Sequence, residues 1–323
     1  MVMRILWLTI DRSARAMQIH DPLREAVEQL ADVTTIKRQV PNPVAKAVRR
    51  IMSEEDPAPE QVASVEFLQS FDFIYTDAHF VYTSEMWSHV AQVPKATMMC
   101  DQHGRLVEWY IREALRWGFR VFTTYRSALE TYWPELVGSA YWLPVWFDPA
   151  VFHAWDVPKK PMALMTGVLE PTVYQCRTAA HNLLQGQSFY QQVNRPPETA
   201  EGKDGPRGRE YAEMLASATL SFVCASCHGY VVTKYVEIPA CGTCLVAETT
   251  PDLEAMGFRP FVHYIPLEPG KNLANEIQHW VTSDNEGVED IAVAGHELVH
   301  ERHTATKRAD LFMECAERVV NTW

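Results

Sequence analysis

Short apolar runs alternate with amphipathic stretches along this chain, and the alternation is interrupted once near its middle. Residues 3–10 (MRILWLTI) form an apolar run that ends in Asp11, Arg12 and Ser13. A helical pattern follows, with Leu23, Ala26, Val27 and Leu30 on one face. Residues 33–36, 71–76 (FDFIYT), 94–99 (PKATMM), 121–124 (VFTT) and 140–143 read as further strands, with helices over 87–91 and 127–133. Residues 41–60, rich in proline and charge, read as an irregular excursion. Residues 153–161 (HAWDVPKKP) break the pattern and read as a linker. Beyond them lie strands at 162–166, 219–224 (TLSFVC), 245–248 and 261–265. Helices are expected over 172–184, 211–216, 232–240, 250–256 and 272–281, and through most of 284–323, with a polar loop over 194–210. Strands alternating with helices predict α/β domains with parallel, doubly wound sheets. A chain of 323 residues suits two of them. The expected division is 1–152, a linker at 153–161, a second domain over 162–303, and a final helix over 304–323.

Composition narrows the function. With 47% hydrophobic and 22% charged residues the chain is globular. A formal charge of -12 argues against a protein that tracks a phosphate backbone, although Arg- and Lys-containing stretches at 37–50 and 203–209 leave room for a local basic groove. The first ten residues are apolar but lack a cleavage site, and no segment approaches the ~20 apolar residues of a membrane span. Seven cysteines, an odd number scattered along the chain, read as reduced thiols, so a cytoplasmic setting is expected.

The most informative stretch is 226–253, SCHGYVVTKYVEIPACGTCLVAETTPDL. It reads as a glycine-containing loop, a helix, Ala-Cys-Gly, a strand and Thr-Pro-Asp, with Gly242 placed to cap the helix. The loop at His228–Gly229 and the helix start would aim N–H groups at an anion such as a diphosphate. Lys234 lies in the first turn, and Glu237 follows on the same face, where a carboxylate can accept from both hydroxyls of a ribose. The plain alternative is a surface Lys–Glu pair.

This stretch resembles the donor-binding segment of GT-B glycosyltransferases, and most of all the CgeB-like (spore-maturation) branch. Other matches are Leu143–Pro144 with Phe147–Phe152, Thr166–Gly167 with Tyr174 and Arg177 downstream, Ala294–Gly295 through His303–Thr304, and Val121–Tyr125. The resemblance covers about residues 120–320. It implies two Rossmann-like domains facing across a cleft, with the acceptor on the N-terminal one, a nucleotide sugar on the C-terminal one, and the last helix crossing back to the N-terminal domain. It further implies that Glu237 holds the donor ribose, that Lys234 holds the pyrophosphate, and that Gly229 and Tyr230 lie beside the donor. His228, Gly167 and Arg177 complete the expected donor set. Many relatives carry an acidic residue eight positions before Glu237, where this chain has Gly229.

Transfer to a hydroxyl needs charge stabilisation on the departing diphosphate and a base for the acceptor. Asp11, Asp77, His79, Asp101 and His103 follow N-domain strands, where open sheets bind ligands. Asp101 and His103, directly after a buried strand, are the preferred catalytic pair, with Asp11 third; the alternative is a helix cap and a structural histidine. The expected partners are a nucleotide-sugar donor and an acceptor that is a glycan, a small molecule or a modified base. No cofactor is expected, because the nucleotide sugar is a co-substrate, and no metal. Rival readings are a non-catalytic binding protein of the same fold, a glycosyltransferase acting on hydroxylated nucleic-acid bases, and a zinc module built on Cys224, Cys227, Cys241 and Cys244. The chain lacks Asp-x-Asp, G-x-x-x-x-G-K-[ST], G-x-G-x-x-G and G-x-S-x-G, which argues against manganese-dependent single-domain transferases, P-loop enzymes, nicotinamide dehydrogenases and α/β-hydrolases.

Overall fold

The computed structural model describes residues 2–10, 20–38, 64–77, 84–100, 105–193, 206–282 and 286–323. The expectations for 41–60 and for most of 194–210 lie outside them. Two compact units emerge. One contains Leu23–Leu143 and Arg308–Trp323 together with the first strand; the other contains Pro144–Lys307.

The first unit is built on six strands, β1 (Arg4–Ile10), β2 (Asp32–Arg38), β3 (Phe73–Thr76), β4 (Lys95–Met99), β5 (Arg120–Thr123) and β6 (Ala140–Trp142), all parallel in the order β2-β1-β3-β4-β5-β6. Helices α1 (His20–Val27), α2 (Val65–Gln69), α3 (Ser84–His89), α4 (Arg105–Arg116) and α5 (Arg126–Tyr132) connect them. Every residue of β3 and β4 is buried, the pattern of a sheet covered on both faces.

The second unit has five parallel strands, β7 (Lys160–Thr166), β8 (Tyr190–Val193), β9 (Ala218–Val223), β10 (Cys244–Ala247) and β11 (Ile265–Pro266), in the order β11-β10-β9-β7-β8. Its helices are α6 (Gln175–Leu184), α7 (Gly208–Ala216), α8 (Lys234–Ala240), α9 (Pro251–Ala255), α10 (Leu273–Thr282) and α11 (Glu286–Arg302). The last helix, α12 (Ala305–Asn321), belongs to the first unit from Arg308 onward. There Phe312 is fully buried, 5.2 Å from the Trp7 ring and 5.0 Å from the Tyr75 ring.

Three details differ from the sequence reading. The last strand, expected over 261–265, shrinks to β11. Residues 259–264 instead form a tight turn in which Phe261, at φ 57, donates its N–H to the Tyr264 carbonyl. The expected run over 284–323 breaks at His303–Thr304, where the Phe147 N–H bonds the His303 carbonyl and the Ala305 N–H bonds the Phe147 carbonyl. The Thr304 hydroxyl then caps the Lys307 N–H at 3.2 Å, which starts α12. Strand β8 and helices α2 and α4 were not read from the sequence. Among the described residues no helix is long and apolar enough to cross a membrane.

Candidate functional site

Strand β7 ends at Thr166, and Gly167 turns the chain away at φ +106, a conformation that side chains with a Cβ avoid. A Cβ built on Gly167 would lie 2.7 Å from Lys234 Nζ and 3.0 Å from an Arg177 guanidinium nitrogen. Glycine therefore lets two cations, from α8 and α6, approach the same backbone point above the sheet.

Lys234 Nζ donates to the Thr166 carbonyl at 2.7 Å. Arg177 is 5% exposed. Its guanidinium donates to the Val168 carbonyl at 3.0 Å and lies 4.0 Å above the Tyr174 ring, in cation–π contact. The Cys224 thiol also lies beside Arg177; among the described residues the guanidinium has no carboxylate partner, and its buried Nε has no hydrogen-bond acceptor. A buried guanidinium with an unused donor, beside an ammonium, can take an anion, which would relieve the repulsion between two like charges in low dielectric.

Glu237, one turn along α8 from Lys234, is 4% exposed. The preceding loop is tied down from both sides: the Cys227 N–H bonds the Val173 carbonyl at 2.7 Å, and the His228 and Tyr230 rings lie 5.5 Å apart. The His228 N–H bonds the Ser226 hydroxyl at 3.2 Å and the Gly229 N–H bonds the Ser226 carbonyl at 2.9 Å. These N–H groups are thus engaged within their own turn. Beside the Gly167 turn the positive charge comes from the Arg177 and Lys234 side chains. The structure thus brings Gly167, Arg177 and Lys234 to one point, with Glu237 on the same short helix. Gln192 joins them by donating to the Gly167 carbonyl at 3.1 Å; nothing in the sequence singled it out, because β8 was not read.

In the first unit, Asp77 follows β3, and both its carboxylate oxygens accept from the Thr9 hydroxyl, at 3.1 and 3.0 Å. Asp11, His79, Asp101 and His103 lie outside the described residues.

The four cysteines of the zinc alternative are free, and only Cys227 is exposed. Burial pushes the Cys224 and Cys241 thiols up, and that of Cys244 to about 12, away from the thiolate a metal would take. Among the described residues no group of three or more His, Cys, Asp or Glu is placed to hold a metal ion.

Comparison with curated proteins found no match. Among solved structures, HepE of Anabaena in complex with UDP-glucose is similar at TM-score 0.60 and 13% identity, over 98% of this chain and 100% of that one. Sucrose-phosphate synthase of Thermosynechococcus elongatus gives 0.66 and 13%, over 99% and 100%. A glycosyltransferase of Rickettsia africae gives 0.61 and 9%, over 100% of both. Residues 188–314, which carry the 226–253 stretch, match the family described as glycosyl transferase-like. The chain therefore has the α/β GT-B architecture of glycosyltransferases, with most of the glycosyl transferase-like region in its second unit.

Proposed function

We propose that this protein transfers a sugar from a nucleotide-sugar donor to a hydroxyl acceptor without a metal ion, and that it belongs to the CgeB-like branch whose motifs it resembles. The observation that carries the reading is the buried Arg177, short of acceptors and converging with Lys234 on Gly167. In transfer, the bond from the anomeric carbon to the diphosphate oxygen breaks and a new bond to the acceptor oxygen forms. Negative charge builds on the departing diphosphate. Two fixed cations in a water-poor site stabilise it, which is the work a divalent ion does elsewhere. Glu237 accepts from the ribose hydroxyls, and Gly229 and Tyr230 border the donor. The acceptor proton passes to a base in the loops after the first unit's strands; Asp101 with His103 is our assignment and Asp11 the second. Seven cysteines, an odd number scattered along the chain, support a cytoplasmic setting.

The HepE complex makes UDP-glucose the first donor to try. A thermal-shift panel of UDP, GDP, ADP and their sugars tests the reading. A ligand at 100 times its Kd should add about 2.7 kcal/mol of apparent stability. Glu237→Ala should remove that response in a folded protein, and EDTA should leave it intact. If no nucleotide diphosphate shifts the wild type, the donor site is misassigned.

A further inference from the structure

Helix α8, which carries Lys234 and Glu237, has little means of holding itself in place. It is seven residues long, and isolated helices of this length are unstable in water. Pro239 lies inside it and has no N–H to return to the preceding turn. Its position must come from packing, and α11 supplies that packing. A Cβ on Gly295 would lie 2.8 Å from the His263 carbonyl and 3.4 Å from Pro239 Cβ, so α11 approaches as closely as a bare glycine allows.

Beside that contact, two histidines one turn apart reach the end of α8. His296 Nδ1 is 3.2 Å from the Pro239 carbonyl and His300 Nε2 is 3.2 Å from the Ala240 carbonyl. A carbonyl only accepts, so each ring nitrogen donates. His296 is then the Nδ1–H tautomer and His300 the Nε2–H tautomer. The rings are 4.2 Å apart, and Phe147 packs edge-on against His300 at 5.1 Å. The Pro239 carbonyl also accepts the Gly242 N–H at 2.9 Å, so His296 is its second donor, whereas the Ala240 carbonyl is one that the helix end leaves for an outside partner. Two side chains of one neighbouring helix thus bond the end of the helix whose other end carries the anion-facing lysine.

We propose that His296 and His300 are positioning residues for nucleotide binding: they pin the C-terminal end of α8 to α11 and so fix Lys234 and Glu237 for the diphosphate and ribose. The proposal rests on the donor reading above. Neither residue touches the nucleotide in this scheme; both act through α8.

The test pairs variants that remove the donor with variants that keep it. His296→Leu and His300→Leu lose the bond. His300→Gln places an amide N–H near the lost Nε2, and His296→Asn places one near Nδ1. UDP binding is measured by calorimetry in each folded protein, with KM for the donor and kcat alongside. Each Leu variant should bind UDP about five- to tenfold more weakly, the effect of one neutral hydrogen bond. KM should rise with kcat kept, and His300→Gln and His296→Asn should stay within twofold of the wild type. Should a Leu variant not fold, His300→Asn, too short to reach Ala240, replaces it in the comparison with His300→Gln. A lower Tm with an unchanged UDP Kd in the Leu variants would overturn this proposal and leave the donor reading standing. A wild type that binds none of UDP, GDP and ADP would overturn the donor reading itself.

Discussion

Each unit buries a cation, and the two cations are treated in opposite ways. In the first unit Lys95 is fully buried, and its ammonium donates to three carbonyls, of Val90, Ala91 and Val93, at 3.2, 3.3 and 3.3 Å. An ammonium has three donors, so that cage is complete. The Trp323 ring, 4.5 Å away, adds a cation–π contact. In the second unit Arg177 has five donors, one bond to the Val168 carbonyl, the Cys224 thiol beside it, and a buried Nε with no acceptor. Burial of charge alone therefore does not mark a site. A cation whose donors are all used has no bond left to offer a ligand, whereas one with an unused donor has.

The largest effect should come from neither cation. If Asp101 and His103 supply the base, Asp101→Asn or His103→Ala should cut turnover roughly 10²- to 10⁴-fold while UDP binding stays within twofold; a variant that loses binding instead would move these residues to the donor site. Next comes the cation with spare donors. Arg177→Leu should weaken UDP binding by about 30- to 100-fold, the loss of charge-assisted hydrogen bonds, and lower Tm little. A large fall in Tm with binding intact would make Arg177 another Lys95.

For the caged cation the expected signature is in pH. Burial pushes the Lys95 ammonium down to about 8. Between about pH 8 and the ordinary lysine value of ~10.4, the folded protein sheds this proton while the unfolded chain keeps it, so stability from this group rises with pH across that window. Below pH 8 the buried charge weighs against the fold in full. The stability of Lys95→Met relative to wild type should therefore fall by on the order of 2 kcal/mol from pH 7 to 10.5, read by urea unfolding at each pH. A flat difference would mean that the ammonium titrates as if in water. The smallest effect expected is that of Gly167→Ala. It forces a Cβ into the φ +106 region and against Lys234, at about 1–2 kcal/mol, seen as a Tm lower by a few degrees and a several-fold weaker UDP Kd.

Much of the fold was legible because parallel strands buried on both faces are written as unbroken apolar runs. MRILWLTI, FDFIYT and TLSFVC stand out for that reason and correspond to β1, β3 and β9. Strand β8 hides because its sequence, Tyr-Gln-Gln-Val, is half polar at a sheet edge beside a polar loop. The short β11 was blurred by Phe261 and Val262, which look like strand residues but project from a turn, 63% and 37% exposed. Glycine at 167 and the Lys–Glu spacing on α8 are local signals and were readable. The spare donors of Arg177 and the reach of His296 and His300 to α8 depend on contacts between residues up to 60 positions apart, and no spacing rule encodes those.

Six of the seven thiols are buried or partly shielded, and only Cys227 is exposed, in the loop whose next residues are His228, Gly229 and Tyr230. A fluorophore coupled through maleimide would therefore settle mainly on a single position, beside the proposed donor pocket. The native chain already carries the attachment point for an optical reporter of nucleotide arrival.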